Sequence, residues 1–481
     1  MSKKRIIAVV GSGGKTTYIK SEAKKYCAQG LKVFVTTSTH MALEKDMIVS
    51  DDANEIIRVM KEKGYVIAGL RHGEKIQGLS KETYKKVCEH ADVVLVEADG
   101  SKHLPIKFPA EYEPVIYENV TEIVVVCGLH ALGKPLKEVA HRLELVKACL
   151  NREKGDMAGS CVVENYICDD TIVKAYHVQK LVEKGYLEPM KEMHWDKKIE
   201  VKATHDDSLY QRVVAKLIEN RIDVSLVKEE WFHTQPEIVI CGGGHVSYEL
   251  VKMASCLDFH IKVIDDREEF ANKERFQLAD EVVCDSFKNL KRHMVKDAYY
   301  VVITRGHKDD FDCVSTILGE SYQYLGMIGS KSKVKATFDH LREVGVSEEL
   351  IETIHAPIGL KIGAKTPAEI AVSILAEIIQ VKNEKSVSFV SRELSGVKEP
   401  GVLCVIIEKT GSAPRGEGSM MYVTDEKIID TIGGGAIEFA AIKDARKVKE
   451  ATVKEYSLSN SDASDIGMIC GGTNKVLFVP L

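Results

Sequence analysis

Gly11-Ser12-Gly13-Gly14-Lys15-Thr16-Thr17 is the string in this chain whose residue types define a chemistry most directly. Glycines let a backbone wrap so that successive N–H groups face a phosphate, and a following helix adds the positive end of its dipole. A lysine at the end of such a loop reaches the outer phosphates, and the next hydroxyl takes a place on Mg2+. Lys15 and Thr16 are read in these roles, with Gly11, Gly13, Gly14 and Thr17 completing the cradle for ATP or GTP. The long template G-x-x-x-x-G-K-[ST] wants glycine where this chain has Val9, so the string is the shorter G-x-x-G-K-T-T form. The bland alternative is a glycine-rich turn.

A Mg-nucleotide also needs an acidic or water-holding group at the tip of a neighbouring strand. Val93-Val94-Leu95-Val96-Glu97-Ala98-Asp99 supplies two. Glu97 and Asp99 are read with Lys15 as the catalytic set, and Asp99 with Thr16 as the metal-holding pair. The competing reading is a solvated strand end. Thr36-Thr37-Ser38-Thr39-His40 follows the next strand and belongs to the same carboxyl edge, where open α/β sheets bind ligands. It also reads as a capping turn.

A second glycine string, Gly242-Gly243-Gly244-His245-Val246-Ser247, follows Ile238-Val239-Ile240-Cys241 and opens a helical pattern. It matches G-x-G-x-x-G except for Ser247, a small residue where helix packs on strand. The acid expected about 20 residues on is Asp265, 265 − 242 = 23 positions after the first glycine. Gly242, Gly244, His245 and Asp265 are read as contacts for a nucleotide-bearing cofactor, NAD(P) included. Arg305 and His307, in Thr304-Arg305-Gly306-His307, would lie on the same edge and hold phosphate; a loop-packing histidine is the alternative.

These sites require elements to carry them. Apolar runs at 6–10, 31–35, 93–96 and 123–126 read as buried strands, with a helix from Thr16 to Gln29 ended by Gly30. Strands alternating with helices imply a parallel sheet covered on both faces. The pattern restarts at 237–241, with strands near 261–264, 282–283, 300–303 and 324–327, and closes on a helix over 367–381, where Thr366, Pro367 and Glu369 form its start signal. Short strands at 402–408, 420–423, 428–432 and 476–479, separated by glycine turns, form a third unit. Between 151 and 235 the pattern supports helices over 171–185 and 209–220 and no motif. The expected fold is α/β: a P-loop-type parallel sheet unit over 1–230, a Rossmann-type doubly wound unit over 236–384 and a small α+β unit over 390–481.

Composition excludes other classes. The 481 residues are 44% hydrophobic and 29% charged, as in ordinary globular proteins rather than disordered or fibrous ones. A net charge of −6 disfavours nucleic acid and anionic membranes as partners. No run reaches the ~18 apolar residues of a membrane span. Twelve cysteines without one C-x-x-C pair match neither a zinc ribbon nor a disulfide framework, and fit the reducing cytoplasm.

Residues 1 to about 225 resemble the YqeC family, accessory proteins of selenium-dependent molybdenum hydroxylases. The resemblance rests on residues 11–17 and 36–41, on Glu97-Ala98-Asp99-Gly100-Ser101-Lys102, on Glu113-Pro114-Val115-Ile116, on Gly128-Leu129-His130-Ala131-Leu132-Gly133, and on His141-Arg142. The short phosphate-loop form also occurs in some ATP-dependent ligases. Where many NTP-binding relatives carry Asn-Lys-x-Asp, this chain has Lys202-Ala203-Thr204-His205-Asp206-Asp207, which leaves ATP against GTP open.

Residues 236–382 resemble the Rossmann half of the XdhC/CoxI family through 242–247, 304–310, Gly326-Met327-Ile328-Gly329-Ser330-Lys331, His355-Ala356-Pro357-Ile358-Gly359-Leu360 and 366–371. Thr410-Gly411-Ser412-Ala413-Pro414-Arg415-Gly416, 431–438 and Met468-Ile469-Cys470-Gly471-Gly472 resemble its small domain, which in relatives precedes the Rossmann half and here comes last. The resemblance implies a factor that holds molybdenum cofactor (molybdopterin) and hands it to the apo-enzyme of a xanthine-dehydrogenase-type hydroxylase, with a sulfur or selenium donor protein as a further partner. It implies Arg305, His307 and Arg415 as clamps for the pterin and its phosphate. It implies Cys470 as a thiol that approaches molybdenum or carries sulfur or selenium; otherwise Cys470 is a small buried hydrophobe. Two readings from other classes remain: a nicotinamide-dependent oxidoreductase using 242–247 and Asp265, and a scaffold that senses nucleotide without turnover.

Overall fold

The computed structural model describes residues 4–151, 166–193, 195, 197–233, 236–257, 259–384, 390–411, 415–457 and 472–481. The β-branched runs form the strands expected of them, because they are buried on both faces. In the first unit six parallel strands lie in the order Lys198–Thr204, Glu122–Gly128, Arg5–Gly11, Val93–Glu97, Val33–Thr37 and Tyr65–His72. Two short antiparallel strands, Lys75–Gln77 and His40–Ala42, extend the sheet past Tyr65–His72. Gly11, Thr37, Glu97, Gly128 and Thr204 end neighbouring strands, so one carboxyl edge gathers every motif of this unit.

The middle unit has six parallel strands in the order Glu281–Cys284, His260–Asp265, Glu237–Cys241, Ala298–Val302, Tyr322–Met327 and Ile354–His355. This is the 3-2-1-4-5-6 order of a doubly wound dinucleotide-type sheet, reversing direction at the second glycine string. The C-terminal unit has a five-stranded antiparallel sheet, the short helix Arg392–Ser395 and a longer helix, Gly435–Ala445.

Alternation along the C-terminal strands shows what each face does. Val402, Cys404, Ile406, Val476 and Phe478 pack under the helix Gly435–Ala445. Leu403, Val405, Tyr422, Leu477 and Val479 join the core of the first unit instead. Arg212 donates to the Val397 carbonyl at 2.6 Å and Ala451 N–H to Asn220 Oδ1 at 3.3 Å across this junction. Val390 N–H donates to the His233 carbonyl at 3.0 Å. The chain therefore leaves the first unit at His233 and returns beside the same point, with the Rossmann unit inserted between. Arg392 pairs with Asp280 of that inserted unit.

The helix expected over 171–185 is shorter. It runs Ala175–Val182 and widens to a π turn at Glu183–Leu187 before Glu188–Glu192. A Cβ on Gly185 would stand 2.9 Å from Pro109 Cδ, so the turn is fixed by a close approach to the 105–109 loop. The strand expected over 428–432 ends at Asp430, which adopts a left-handed conformation (φ 60°).

Candidate functional site

The first glycine loop is bound tightly to its surroundings. Gly11 and Gly13 have φ of 97° and 76°, and a Cβ would stand 2.0 Å from the Val126 carbonyl oxygen and 2.5 Å from Gly128 Cα respectively. Only glycine satisfies both constraints. Ser12 N–H donates to Val126 O at 2.9 Å, and Thr204 Oγ1 donates to Gly13 O. The helix Lys15–Ala28 then begins with no side-chain cap and no acid in its first turn, leaving its N–H groups for an anion.

Lys15 is 3% exposed and its ammonium is drawn back into the loop. It donates to the Gly11 carbonyl at 2.7 Å and to Ser101 Oγ at 3.3 Å, and pairs with Asp99 Oδ1 at 3.1 Å. Asp99 is fully buried. Its Oδ2 accepts from Gly11 N–H and from Tyr186 O–H, both at 2.9 Å, and lies 3.0 Å from Lys107 Nζ. Lys107 in turn meets Glu113 at 2.7 Å, and Arg142 grips Glu113 with two bonds of 2.7 and 3.0 Å. Five charges thus alternate in sign from Lys15 to Arg142.

Asp99, read with Thr16 as the metal-holding pair, sits beneath the loop and is not among the residues that line the cavity. Its Oδ2 is held on the underside of the loop and its Oδ1 faces Lys15, while Glu97 and Glu113 are the acids that line the cavity. Glu97 Oε2 accepts from Thr16 Oγ1 at 3.3 Å. Burial pushes the Glu97 carboxyl above its ordinary range, opposed by the nearby Lys15 ammonium. A nearby cation favours the ionised form of such a carboxyl, and Thr16 and Glu97 are the oxygen donors that a Mg2+ at this edge would meet.

The cavity at this edge has a volume of about 1240 Å3 and is walled by residues 13–17, 38–42, 75, 77–79, 97, 100–103, 112, 113, 115, 117, 130, 141 and 142. The hydroxyl run divides its labour. Thr36 and Thr37 are buried and hold the sheet, donating to Ala68 O at 2.9 Å and Glu97 O at 2.8 Å. Ser38, Thr39 and His40 line the cavity, and Thr39 Oγ1 is a buried hydroxyl without a hydrogen-bond partner.

The second glycine string also forms its expected turn. Gly242 has φ 113°, with a Cβ position 2.2 Å from the Ile303 carbonyl oxygen, and Ser247 Oγ donates to Gly242 O at 2.5 Å. Gly244 caps the helix His245–Ala254, whose first residue is exposed. Asp265 ends its strand as expected, yet its carboxylate is 1% exposed and engaged within the chain. It accepts Gly243 N–H at 2.7 Å and a two-pronged contact from Arg267 at 2.9 and 3.0 Å. Burial alone would raise it, but Arg267 and the Gly243 N–H hold it below the usual carboxylate range. A ribose diol would have to displace those donors. Arg305 is exposed and touches only Asp266 among the described residues, at 3.3 Å; His307 opens the helix His307–Leu318. Arg415 is exposed, and Cys470 lies outside the described residues.

Lys107, Tyr186 and the Arg142–Glu113 clamp were not singled out by spacing. Lys107 carried one signal, a lysine directly after Ile106 in an apolar pair; Tyr186 carried none.

Three segments of the chain match known families. Residues 7–144 match the YqeC protein family model, residues 238–378 the XdhC Rossmann domain, and residues 396–457 the XdhC and CoxI family. The chain thus joins a YqeC segment to both XdhC segments, Rossmann domain first. The uncharacterized protein YqeB of Escherichia coli (strain K12) is 30% identical over 238 residues, 48% of this chain and 43% of that protein. The uncharacterized protein YqeC of the same organism is 32% identical over 146 residues, 28% of this chain and 57% of that one. A probable xanthine dehydrogenase subunit of Bacillus subtilis (strain 168) is 27% identical over 156 residues, 32% of this chain and 45% of that one. The chain spans about half the length of the curated relatives it matches. Among the described residues no helix is long and apolar enough to cross a membrane.

Proposed function

We propose that this chain is an accessory and maturation factor for molybdenum hydroxylases of the xanthine dehydrogenase type, the selenium-dependent ones included. In this reading the first unit binds and turns over Mg-NTP, and the XdhC-type segments bind molybdenum cofactor, aid its modification and present it to the apo-enzyme. One observation carries the reading: a YqeC segment with a glycine loop at the mouth of a large cavity shares one chain with both XdhC segments.

Residues 11–17 would wrap the phosphates with backbone N–H groups, and Lys15 would exchange its contacts with Gly11 O and Asp99 for a phosphate oxygen. Thr16 and Glu97 would hold Mg2+, which when bound neutralises charge on the phosphate oxygens. Asp99 does not touch substrate in this reading. It fixes the loop by the Gly11 N–H bond and returns Lys15 to a defined position after release. The exposed guanidinium groups of Arg305 and Arg415 suit the phosphate of a molybdopterin, and Cys470 is the thiol proposed for its metal.

The test is purification from cells that make molybdenum cofactor, followed by mass spectrometry of bound metal, pterin and nucleotide. The expected result is retained molybdopterin in wild type and in Lys15→Ala, with nucleotide lost in the variant. Protein that neither retains pterin nor supports activation of a hydroxylase overturns the proposal.

A further inference from the structure

The cavity beyond the phosphate loop exceeds what one nucleotide needs, in size and in charge. Pockets for a single drug-sized ligand enclose roughly 300–1,000 Å3, against about 1240 Å3 here. Its lining carries Lys15, Lys75, Lys102, Arg142 and four histidines, against the acids Glu97 and Glu113. Glu113 is already committed to Lys107 and Arg142, and those cations hold it below the usual carboxylate range against the opposing effect of burial. Lys102, His103, His141 and Arg142 contribute two permanent cations and two imidazoles to this lining.

Three features mark that group as built for a ligand. Lys102, His103 and Arg142 all adopt left-handed backbone, with φ of 48°, 62° and 61°. Such strain persists where surrounding structure enforces it. The side chains of Lys102, His103 and His141 have no hydrogen-bond or ion-pair partner among the described residues. Burial, and then Arg142, Lys107 and Lys102, push the His141 imidazole below its ordinary range, with Glu113 opposing them. The group also adjoins the phosphate loop: Ser101, the residue before Lys102, meets Lys15 Nζ at 3.3 Å.

We propose that Lys102, His103, His141 and Arg142 form a second subsite that binds a small oxyanion, a phosphate or a carboxylate, together with the nucleotide. The subsite rests on the reading that the nucleotide occupies residues 11–17. The oxyanion is then held near the outer phosphate of the nucleotide.

The experiment is calorimetric titration of the full chain with inorganic phosphate, and separately with acetate, after saturation with a non-hydrolysable Mg-bound ATP or GTP analogue. The expected result is one-to-one binding of at least one anion to the nucleotide-loaded protein, the stronger anion identifying the class. A Lys102→Gln, His141→Gln variant should weaken that anion at least tenfold while analogue affinity stays within twofold of wild type. Failure of both anions to bind loaded wild type, or unchanged anion affinity in the variant, overturns the subsite. Failure of wild type to bind either analogue overturns the nucleotide reading alone. The phosphate titration of nucleotide-free wild type against the variant then still decides whether the basic group holds an oxyanion.

Discussion

Asp99→Asn separates an anchoring carboxylate from a metal-facing one. In the structure Asp99 is buried beneath the loop between two ammonium groups, at 3.1 Å from Lys15 and 3.0 Å from Lys107, and it accepts Gly11 N–H and Tyr186 O–H at 2.9 Å. The amide is nearly isosteric, so packing is preserved and the charge alone is lost. Removing one partner of a buried ion pair costs about 3–5 kcal/mol, because the other charges stay buried without compensation. For a unit of this size each kcal/mol shifts Tm by roughly 2–4 °C, giving a loss of about 6–20 °C. Both tryptophans of the chain, Trp195 and Trp231, lie in the first unit, so tryptophan fluorescence during heating reports this unit without contribution from the Rossmann sheet. Asp99→Leu combined with Lys107→Met should recover more than half of the loss, since a buried charge network is often replaceable by apolar packing. A loss below about 1 kcal/mol in Asp99→Asn, with Mg-dependent turnover abolished, would refute the anchoring role and restore Asp99 to the metal.

Four further outcomes follow from the same geometry. Glu97 has a raised carboxyl pKa in the folded state, so its contribution to stability is present below the unfolded value of about 4.3 and is lost as pH rises through the folded one. Glu97→Gln should therefore raise the nucleotide-free Tm at pH 8, by the 2–4 °C that roughly 1 kcal/mol brings, while losing Mg-dependent turnover; a lower Tm would contradict the burial argument. Asp265 is depressed, so its contribution is present above about pH 3.9 and lost as pH falls. Asp265→Asn should lower hydrogen-exchange protection across 238–265 by an amount equivalent to about 1.5–3 kcal/mol, and full protection would show the Gly243 and Arg267 contacts to be idle. Replacing 237–386 with a three-residue glycine linker should leave the tryptophan unfolding transition in place, because His233 O and Val390 N–H are 3.0 Å apart. Ending the chain at 384 should instead destabilise the first unit, by stripping Leu403, Val405, Leu477 and Val479 from its core.

What could be read from the residues depended on how local the physical requirement was. Residues 11–17 and 242–247 were legible because a tight, positive-φ turn after a strand imposes glycine whatever the remainder of the chain does. The strands at 93–97 and 237–241 were legible because burial on both faces demands a continuous apolar run. Glu97 and Asp99 could not be told apart, since both close the same strand; the partners that separate them are Lys107, ten residues beyond Glu97, and Tyr186, far along the chain. Tyr186 reaches Asp99 through the π turn that Gly185 permits against Pro109, a contact no periodicity encodes. The docking of the C-terminal sheet on the first unit was also hidden. A strand buried on both faces reads alike whichever body covers it.

Phosphate release is the most direct measurement of the central claim that residues 11–17 form a Mg-NTP site. Wild type, Lys15→Ala and Glu97→Gln would be assayed with ATP and with GTP, with Mg2+ and with excess chelator. The account predicts release from wild type with at least one nucleotide, dependent on Mg2+, and reduced at least a hundredfold in both variants. Equal release from wild type and Lys15→Ala, or none from wild type with either nucleotide, would contradict it.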